Sequence, residues 1–461
     1  MDLKKINKAT LARKLESFAP PADHLETPSA CIIDGMSIIH KMKGDNSTFE
    51  EVALQLLASI LRNAEGSERI DVVFDVYQET SIKAAERTLR GSESGLCFTN
   101  ISSGHRIQQW RRLLSCGISK TKLISFIVDK WKEPHNRKKL HEKVLYVTCG
   151  DLCYRISLDE ITEEDNLRTS QEEADTRIIL HAKHAAPPMS SIIIVAEDAD
   201  IIILCLAFQQ DIGCDLYVKC GTATRTRYIN IRKVSEALGQ DVCRALPGFH
   251  AFTGCDTVSA FSGRGKLGAL KLLINSDKFK EGFIKLGSEW EITSELLKLL
   301  EEFTCKIYVN QTDICNVNRV RYELFRMRGG NIESGQLPPC QDSLYLHAAR
   351  ANYQAALWHR SLVPSFQKPS PLDCKGWVLS DEGELMINWM SGKPAPERII
   401  EFLFCKCKKT CKRPTCQCLV NGLPCTQACF LQTCDNMKEE SEANNQGADE
   451  YVSDSDSDTE T

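Results

Sequence analysis

The stretch Ser191-Ile192-Ile193-Ile194-Val195-Ala196-Glu197-Asp198-Ala199-Asp200 decides the fold. Its uncharged, β-branched first half, Ser191 to Ala196, reads as a strand buried on both faces, as strands inside a parallel sheet are. The apolar run stops at a cluster of acids, and a second apolar segment begins directly after it at Ile201. Upstream, Pro187 and Pro188 end a helix that runs to about Ala185. Its opening, Ser170-Gln171-Glu172-Glu173, predicts Ser170 as N-cap with Glu173 at the capping-box position. Downstream, Cys214–Lys219 and Thr226–Ile231 read as edge strands. Helices over Arg232–Leu238 and Asp241–Thr253 then lead to Gly254-Cys255-Asp256. This alternation predicts an α/β protein with a doubly wound, mainly parallel sheet.

The strand-then-acid pattern occurs twice nearer the start. Ala30-Cys31-Ile32-Ile33 runs into Asp34-Gly35 and an apolar-periodic segment through Met42, and Ile70 to Phe74 runs into Asp75. A helix over Thr48–Arg62 lies between them, and Lys83 to Arg90 is a basic helical stretch. From Cys97 to Leu167 the pattern weakens, giving only a helix over Lys120–Trp131 and a strand over Val144–Thr148. After Lys266 the chain turns helical to about His359.

These readings divide the chain into an N-terminal extension (1–29), an α/β domain (30–275), an α-rich region (276–362), a linker and Trp-containing segment (363–397), a cysteine module (398–437) and an acidic tail (438–461). The tail is too polar to fold. Trp377 and Trp389 read as packing residues. The start of the chain, Met1 to Pro21, shows no apolar secretory core.

Composition narrows the function. With 461 residues and 42% of them hydrophobic, the chain can bury a large core, which excludes disorder throughout. The longest apolar run, Ile201 to Phe208, is far short of the ~20 residues of a spanning helix, so no membrane partner is expected. The net charge of -5 belongs to the tail: residues 438–461 carry -8, leaving +3 for residues 1–437, a balance suited to nucleic acid. Of 22 cysteines, fourteen are scattered, and eight fall between Cys405 and Cys434. In a reducing compartment such a cluster reads as a metal site rather than a disulfide scaffold.

Asp34, Asp75 and the Asp198/Asp200 pair each end an apolar strand. In an open parallel sheet those ends line the ligand crevice, so the acids should converge. Any one of them alone would serve equally well as a helix cap. Gathered carboxylates repel and lose hydration, and hard divalent cations such as Mg²⁺ or Mn²⁺ relieve both costs. Glu173 and Asp175 join the group from the first turn of the helix near Ser170. Two such ions can activate a water and stabilise a leaving oxygen in phosphodiester cleavage.

These segments resemble the flap-endonuclease and XPG-like nucleases of the PIN-like fold. Ile32-Ile33-Asp34-Gly35-Met36-Ser37-Ile38 is similar to the family's first metal-binding strand. Val73-Phe74-Asp75 with Lys83, Arg87 and Arg90 resembles its second acidic strand and basic gateway helix. Glu173-Ala174-Asp175, Ala196-Glu197-Asp198-Ala199-Asp200 and Gly254-Cys255-Asp256 follow in family order. Gly263-Arg264-Gly265-Lys266 stands where the family grips duplex backbone. The resemblance covers roughly residues 30–275. It implies Asp34, Asp75, Glu173, Asp175, Asp198, Asp200 and Asp256 as ligands to two Mg²⁺ or Mn²⁺ ions, with Lys83 and Arg87 near the scissile phosphate. It also implies Arg90 and Gly263 to Lys266 on nucleic acid, although a tight turn explains the glycines equally well. The chain departs from the family in its charged N-terminal extension, in Asp175 where the family has Glu, and in the segment Cys97 to Leu167.

The eight clustered cysteines, Cys405, Cys407, Cys411, Cys416, Cys418, Cys425, Cys429 and Cys434, can fill two Zn²⁺ sites, or three with bridging sulfurs. So short a segment would draw its folding energy from the metal. The pattern resembles the tesmin/TSO1-like CXC domain, with Leu431 where that family has a further cysteine. The resemblance implies DNA binding, and Lys406, Lys408, Lys409, Lys412 and Arg413 supply either phosphate contacts or charge balance for zinc thiolates. A PIN-like core joined to a CXC-like cluster is also similar to a group of multicopy animal proteins, for which a mobile-element origin is one reading.

The expected function is a nuclear, divalent-metal-dependent DNA nuclease acting on branched or single-stranded DNA. The alternative is an inactive DNA- or chromatin-binding protein. The acidic tail, with Ser-Asp repeats suited to acid-directed kinases, fits a basic protein partner. Lys219, Arg225, Arg227, Arg232 and Lys233 border either a nucleic-acid groove or a solvated hairpin, and His181 and His184 read as ordinary helix residues.

Overall fold

A computed structural model of the chain describes residues 8–22, 29–78, 80–89, 97–98, 100–196, 198–221, 226–327, 336–390, 392, 404–420, 425, 429–431 and 434–436. Helix α1 (Lys8–Glu16) precedes strand β1 (Ser29–Asp34), which leads into α2 (Gly35–Lys41) and α3 (Phe49–Asn63). Helix α3 starts on a reciprocal cap: the Thr48 hydroxyl accepts from the Glu51 amide (3.2 Å), and the Glu51 carboxylate accepts from the Thr48 amide (2.7 Å). Then come β2 (Arg69–Val73), α4 (Ile82–Leu89), the short α5 (Trp110–Leu113), α6 (Gly117–Lys132), the short α7 (Pro134–Arg137) and strands β3 (Val144–Cys149), β4 (Leu152–Ile156) and β5 (Ile161–Glu163). Helix α8 (Ala174–Ala185), β6 (Ser191–Val195), α9 (Ala199–Ile212), β7 (Asp215–Cys220), β8 (Arg227–Asn230), α10 (Ile231–Leu238) and α11 (Gln240–Thr253) complete the α/β part.

The eight strands form one sheet in the order β5-β4-β3-β2-β1-β6-β7-β8. Strands β3, β2, β1, β6 and β7 run parallel, while β4, β5 and β8 are antiparallel additions at the edges. Ala30 of β1 pairs with Arg69 on one side and Ile192 on the other. The chain builds outward from β1 to β3, then returns to lay β6 and β7 on the opposite side. The order therefore reverses at β1 and β6, the switch point where a ligand crevice opens. Side chains alternate across the sheet: Ala30 and Ile32 join the core under α8 and α9, whereas Cys31 and Ile33 join the core under α3 and α6.

The predicted Ser170 cap does not form. Helix α8 begins at Ala174, whose amide donates to the Asp75 carboxylate (2.7 Å), while the Ser170 amide donates to the Pro364 carbonyl (3.1 Å). The strand-end acid has taken over the cap.

Helices α12 (Lys266–Ile274), α13 (Asp277–Lys285), α14 (Ser294–Tyr308), α15 (Val317–Met327) and α16 (Gln341–His359) follow. They share one apolar core with α1, α8, α9 and α11, continuous from Leu11 to Trp358. Phe249 and Phe252 of α11 meet Phe283 and Phe303 at ring separations of 5.8–6.4 Å. Gly248 permits this approach, since a Cβ there would lie 2.2 Å from the Phe283 carbonyl.

Over residues 363–390 the segment read as a linker is folded. Pro364 accepts from Thr169 and Ser170, and a hairpin of β9 (Trp377–Leu379) and β10 (Leu385–Ile387) packs Trp377 against Tyr353 and Ile82. Trp377 is buried as predicted, but Trp389 is exposed. Among the described residues no helix is long and apolar enough to cross a membrane. The tail 438–461, Arg90 and Arg225 lie outside the described residues.

Candidate active site and cysteine cluster

The carboxyl ends of β1, β2 and β6 open into a cleft of about 470 Å³ lined by Asp34, Ser37, Asp75, Lys83, Asp175 and Asp198. Ala9 of α1 lies on its wall, so the N-terminal extension borders the site. Each acid has a local reason for its position. Asp34 caps α2 by accepting from the Ser37 amide (3.1 Å), Asp75 caps α8, and Asp198 caps α9 by accepting from the Asp200 amide (3.3 Å). The capping role and the shared cleft therefore coexist. One carboxylate oxygen from each of Asp198, Asp200 and Asp256 lies within 4.8 Å of the others, near enough for the three to hold one metal ion together. Asp256 is delivered by Gly254, whose φ of +114° and approach to Ala260 exclude a side chain.

The electrostatics show the crowding. Burial, with the charge of Asp75 next, pushes the Asp34 carboxyl up to about 7, and burial holds Asp175 well above its ordinary range despite nearby Lys83. Burial opposes the charge on Lys83, but Glu173, Asp175, Asp256 and Asp75 outweigh it and keep the ammonium protonated. The donor set, all carboxylate with one hydroxyl, suits Mg²⁺ or Mn²⁺.

Glu173 is the acid that stands apart. Its carboxylate accepts from Gln354 Nε2 (3.3 Å) and Trp358 Nε1 (3.2 Å) of α16, with Lys83 Nζ at 3.8 Å. Behind Asp200 lies a buried brace. His250 Nε2 is 2.8 Å from the Asp200 carboxylate, its Nδ1 is 2.6 Å from Lys266 Nζ, and its ring stacks on Trp358. The Lys266 ammonium is thus turned inward and also donates to the His250 carbonyl (3.1 Å). Gly263 and Gly265 remain exposed, and the Arg264 guanidinium lies over Tyr308.

Arg87 reaches Glu172 (3.5 Å) and lies over the Tyr77 ring, with Lys120 over the same ring. Burial, then the charge of Arg87, lowers the Lys120 ammonium to about 8, while Asp75 pulls the other way. Lys120, Tyr77, His250, Gln354 and Trp358 are the neighbours that sequence reasoning missed. Lys120 had a legible signal: it falls in register with Leu123, Ile124 and Ile127, a lysine in an apolar stripe.

His181 and His184 are not ordinary helix residues. His181 Nδ1 is 2.7 Å from buried Asp71, and His184 Nδ1 is 2.9 Å from Arg69, which itself grips Asp71 with two hydrogen bonds. Lys219 donates to the Asn63 carbonyl, and Arg227 and Arg232 pair with Glu16 and Asp215, so these cations have structural partners.

No known protein-family model matches the chain, and no curated protein matches it by sequence.

The C-terminal cysteines converge into three groups: Cys405, Cys407, Cys411 and Cys416; Cys405, Cys418, Cys425 and Cys429; and Cys411, Cys425 and Cys434. Sγ–Sγ separations of 3.5–3.8 Å match the ~3.8 Å edge of a tetrahedron with ~2.3 Å zinc–sulfur bonds. The cluster can hold metal, with Cys405, Cys411 and Cys425 shared between groups. Lys406, Lys408, Lys409, Lys412 and Arg413 are exposed around it, Arg413 also donating to the Leu419 carbonyl.

Proposed function

We propose that the protein is a divalent-metal-dependent DNA nuclease that cleaves phosphodiester bonds with two Mg²⁺ or Mn²⁺ ions, and that its cysteine module binds Zn²⁺ and aids DNA binding. One observation carries the reading: acids from five separate segments, Asp34, Asp75, Asp175, Asp198/Asp200 and Asp256, converge at the sheet's switch point around Lys83. When bound, the ions would supply an activated water and stabilise the departing oxygen. The residues' own parts are separate. Asp34 and Asp175, held protonated by burial, would release their protons to solvent as the ions bind, Lys83 and Arg87 attract the phosphate, and the His250 brace orients Asp200. The exposed Gly263–Gly265 turn and the cations around the cysteines give DNA two further places to bind. Such a protein would act in the nucleus.

The sequence motifs that carry these acids resemble those of flap-endonuclease and XPG-like nucleases, and the cysteine spacing resembles that of a CXC domain. A second reading, an inactive DNA- or chromatin-binding protein of mobile-element origin, draws on Glu173, whose carboxylate is engaged by Gln354 and Trp358. Cleavage of branched and single-stranded DNA in Mg²⁺ or Mn²⁺ decides between them. The nuclease reading expects activity that falls at least 100-fold in Asp198→Asn/Asp200→Asn; it is rejected if the unmutated protein cleaves none of these substrates.

A further inference from the structure

Most cysteines outside the cluster sit where burial opposes ionisation: the thiols of Cys31 and Cys305 are pushed up to about 12, and those of Cys214 and Cys374 to about 11. Cys116 differs. It is the N-cap of α6, and its Sγ lies 2.9 Å from the Sγ of Cys97. Burial raises its thiol, but the Cys97 thiol, the Ser119 hydroxyl and the first-turn amides of Ser119 and Ile118 together hold it below its ordinary range. Cys97 is exposed, and the Phe98 amide beside it donates to the Ser119 hydroxyl (3.0 Å), fixing the two segments side by side.

We propose that Cys97 and Cys116 are a redox modification site, joined reversibly as a disulfide by hydroperoxides. The Cys116 thiolate attacks the peroxide and takes one oxygen, forming a sulfenic acid; the O–O bond breaks, and the other oxygen leaves as water after taking a proton. The Cys97 thiol then attacks that sulfur, the S–S bond forms, and the sulfenic oxygen leaves as a second water. Two thiols are oxidised by two electrons and one hydrogen peroxide is reduced to two waters. A thiol reductant reverses the bond. The link would tie the chain after α4 to the first turn of α6, where the Lys120 amide donates to the Cys116 carbonyl and the Lys120 ammonium lies over Tyr77.

The test uses the full chain treated with hydrogen peroxide, its remaining thiols blocked, then digested without reductant and mapped by mass spectrometry. The expected product is a Cys97–Cys116 linked peptide pair that disappears on reduction and is missing from Cys97→Ser and Cys116→Ser. Cys97→Ser should leave Cys116 as a sulfenic acid trapped by dimedone. Recovery of Cys97 and Cys116 as unlinked thiols, or linkage of either mainly to another cysteine, overturns the proposal. The readout is a mass, so it stands or falls separately from DNA cleavage.

Discussion

Asp34 does two jobs that favour different protonation states. As the cap of α2 it needs only an acceptor oxygen, but beside Asp75 in a buried cleft its negative charge is costly. Asn caps a helix about as well as Asp. Asp34→Asn should therefore raise the melting temperature of the metal-free protein while weakening Mn²⁺ binding at least tenfold by calorimetry, a separation that a purely structural aspartate would not give. His347 offers a second test at this scale. Burial, with Arg350 next, lowers it to about 4, and its Nε2–H donates to the Phe252 carbonyl (2.7 Å). Unfolded, it protonates near 6.5, so between those values the unfolded chain binds the extra proton. Its contribution is full above pH 6.5 and is lost as pH falls toward 4, by up to about 3 kcal/mol. Denaturant titrations should find a shallower loss in His347→Gln than in the unmutated protein. The strand-end acids were legible because each follows an apolar run, whereas His250 and His347 were not, being polar residues inside helices whose partners are distant in sequence.

Elements with one strong period were readable. Strands β1, β2, β3 and β6 and helix α3 stand within a few residues of their expected positions, since each carries a continuous apolar run or a capping box. The β4–β5 hairpin escaped notice because its residues are largely half-exposed and give no clean alternation, and the start of α8 was misread because its cap comes from Asp75. In the cysteine module spacing revealed the ligands but not how they are shared. Two groups have four thiols and the third, Cys411, Cys425 and Cys434, has three. Three zinc ions per chain are expected by elemental analysis, with one leaving at least tenfold faster than the others under a competing chelator. Two ions lost in a single phase would reject the shared-thiolate arrangement.

The division at residue 275, drawn where the α/β pattern ends, does not coincide with a break in the core. Phe283 and Phe303 pack directly on Phe249 and Phe252, and Gly248 is shaped to the Phe283 backbone. From α16, Gln354 and Trp358 reach back to Glu173, while Gln354 also accepts from Thr257 beside the Gly254–Asp256 turn. Periodicity could not reveal this, because it reports which face of a helix is apolar and not which partner covers it. A chain ending at residue 275 would expose the aromatic face of α11 and leave the buried Glu173 carboxylate without its two α16 donors, each loss costing about 1–3 kcal/mol or more. It should be aggregation-prone and lack a cooperative thermal transition, whereas a chain ending at residue 390, which keeps α16 and the β9–β10 hairpin against Ile82, should unfold cooperatively and retain Mn²⁺ binding. Cooperative unfolding of the shorter chain would show that the helices after α12 are an appendage, and Mn²⁺ binding retained by it would show that the two α16 donors to Glu173 are dispensable for holding the acids together.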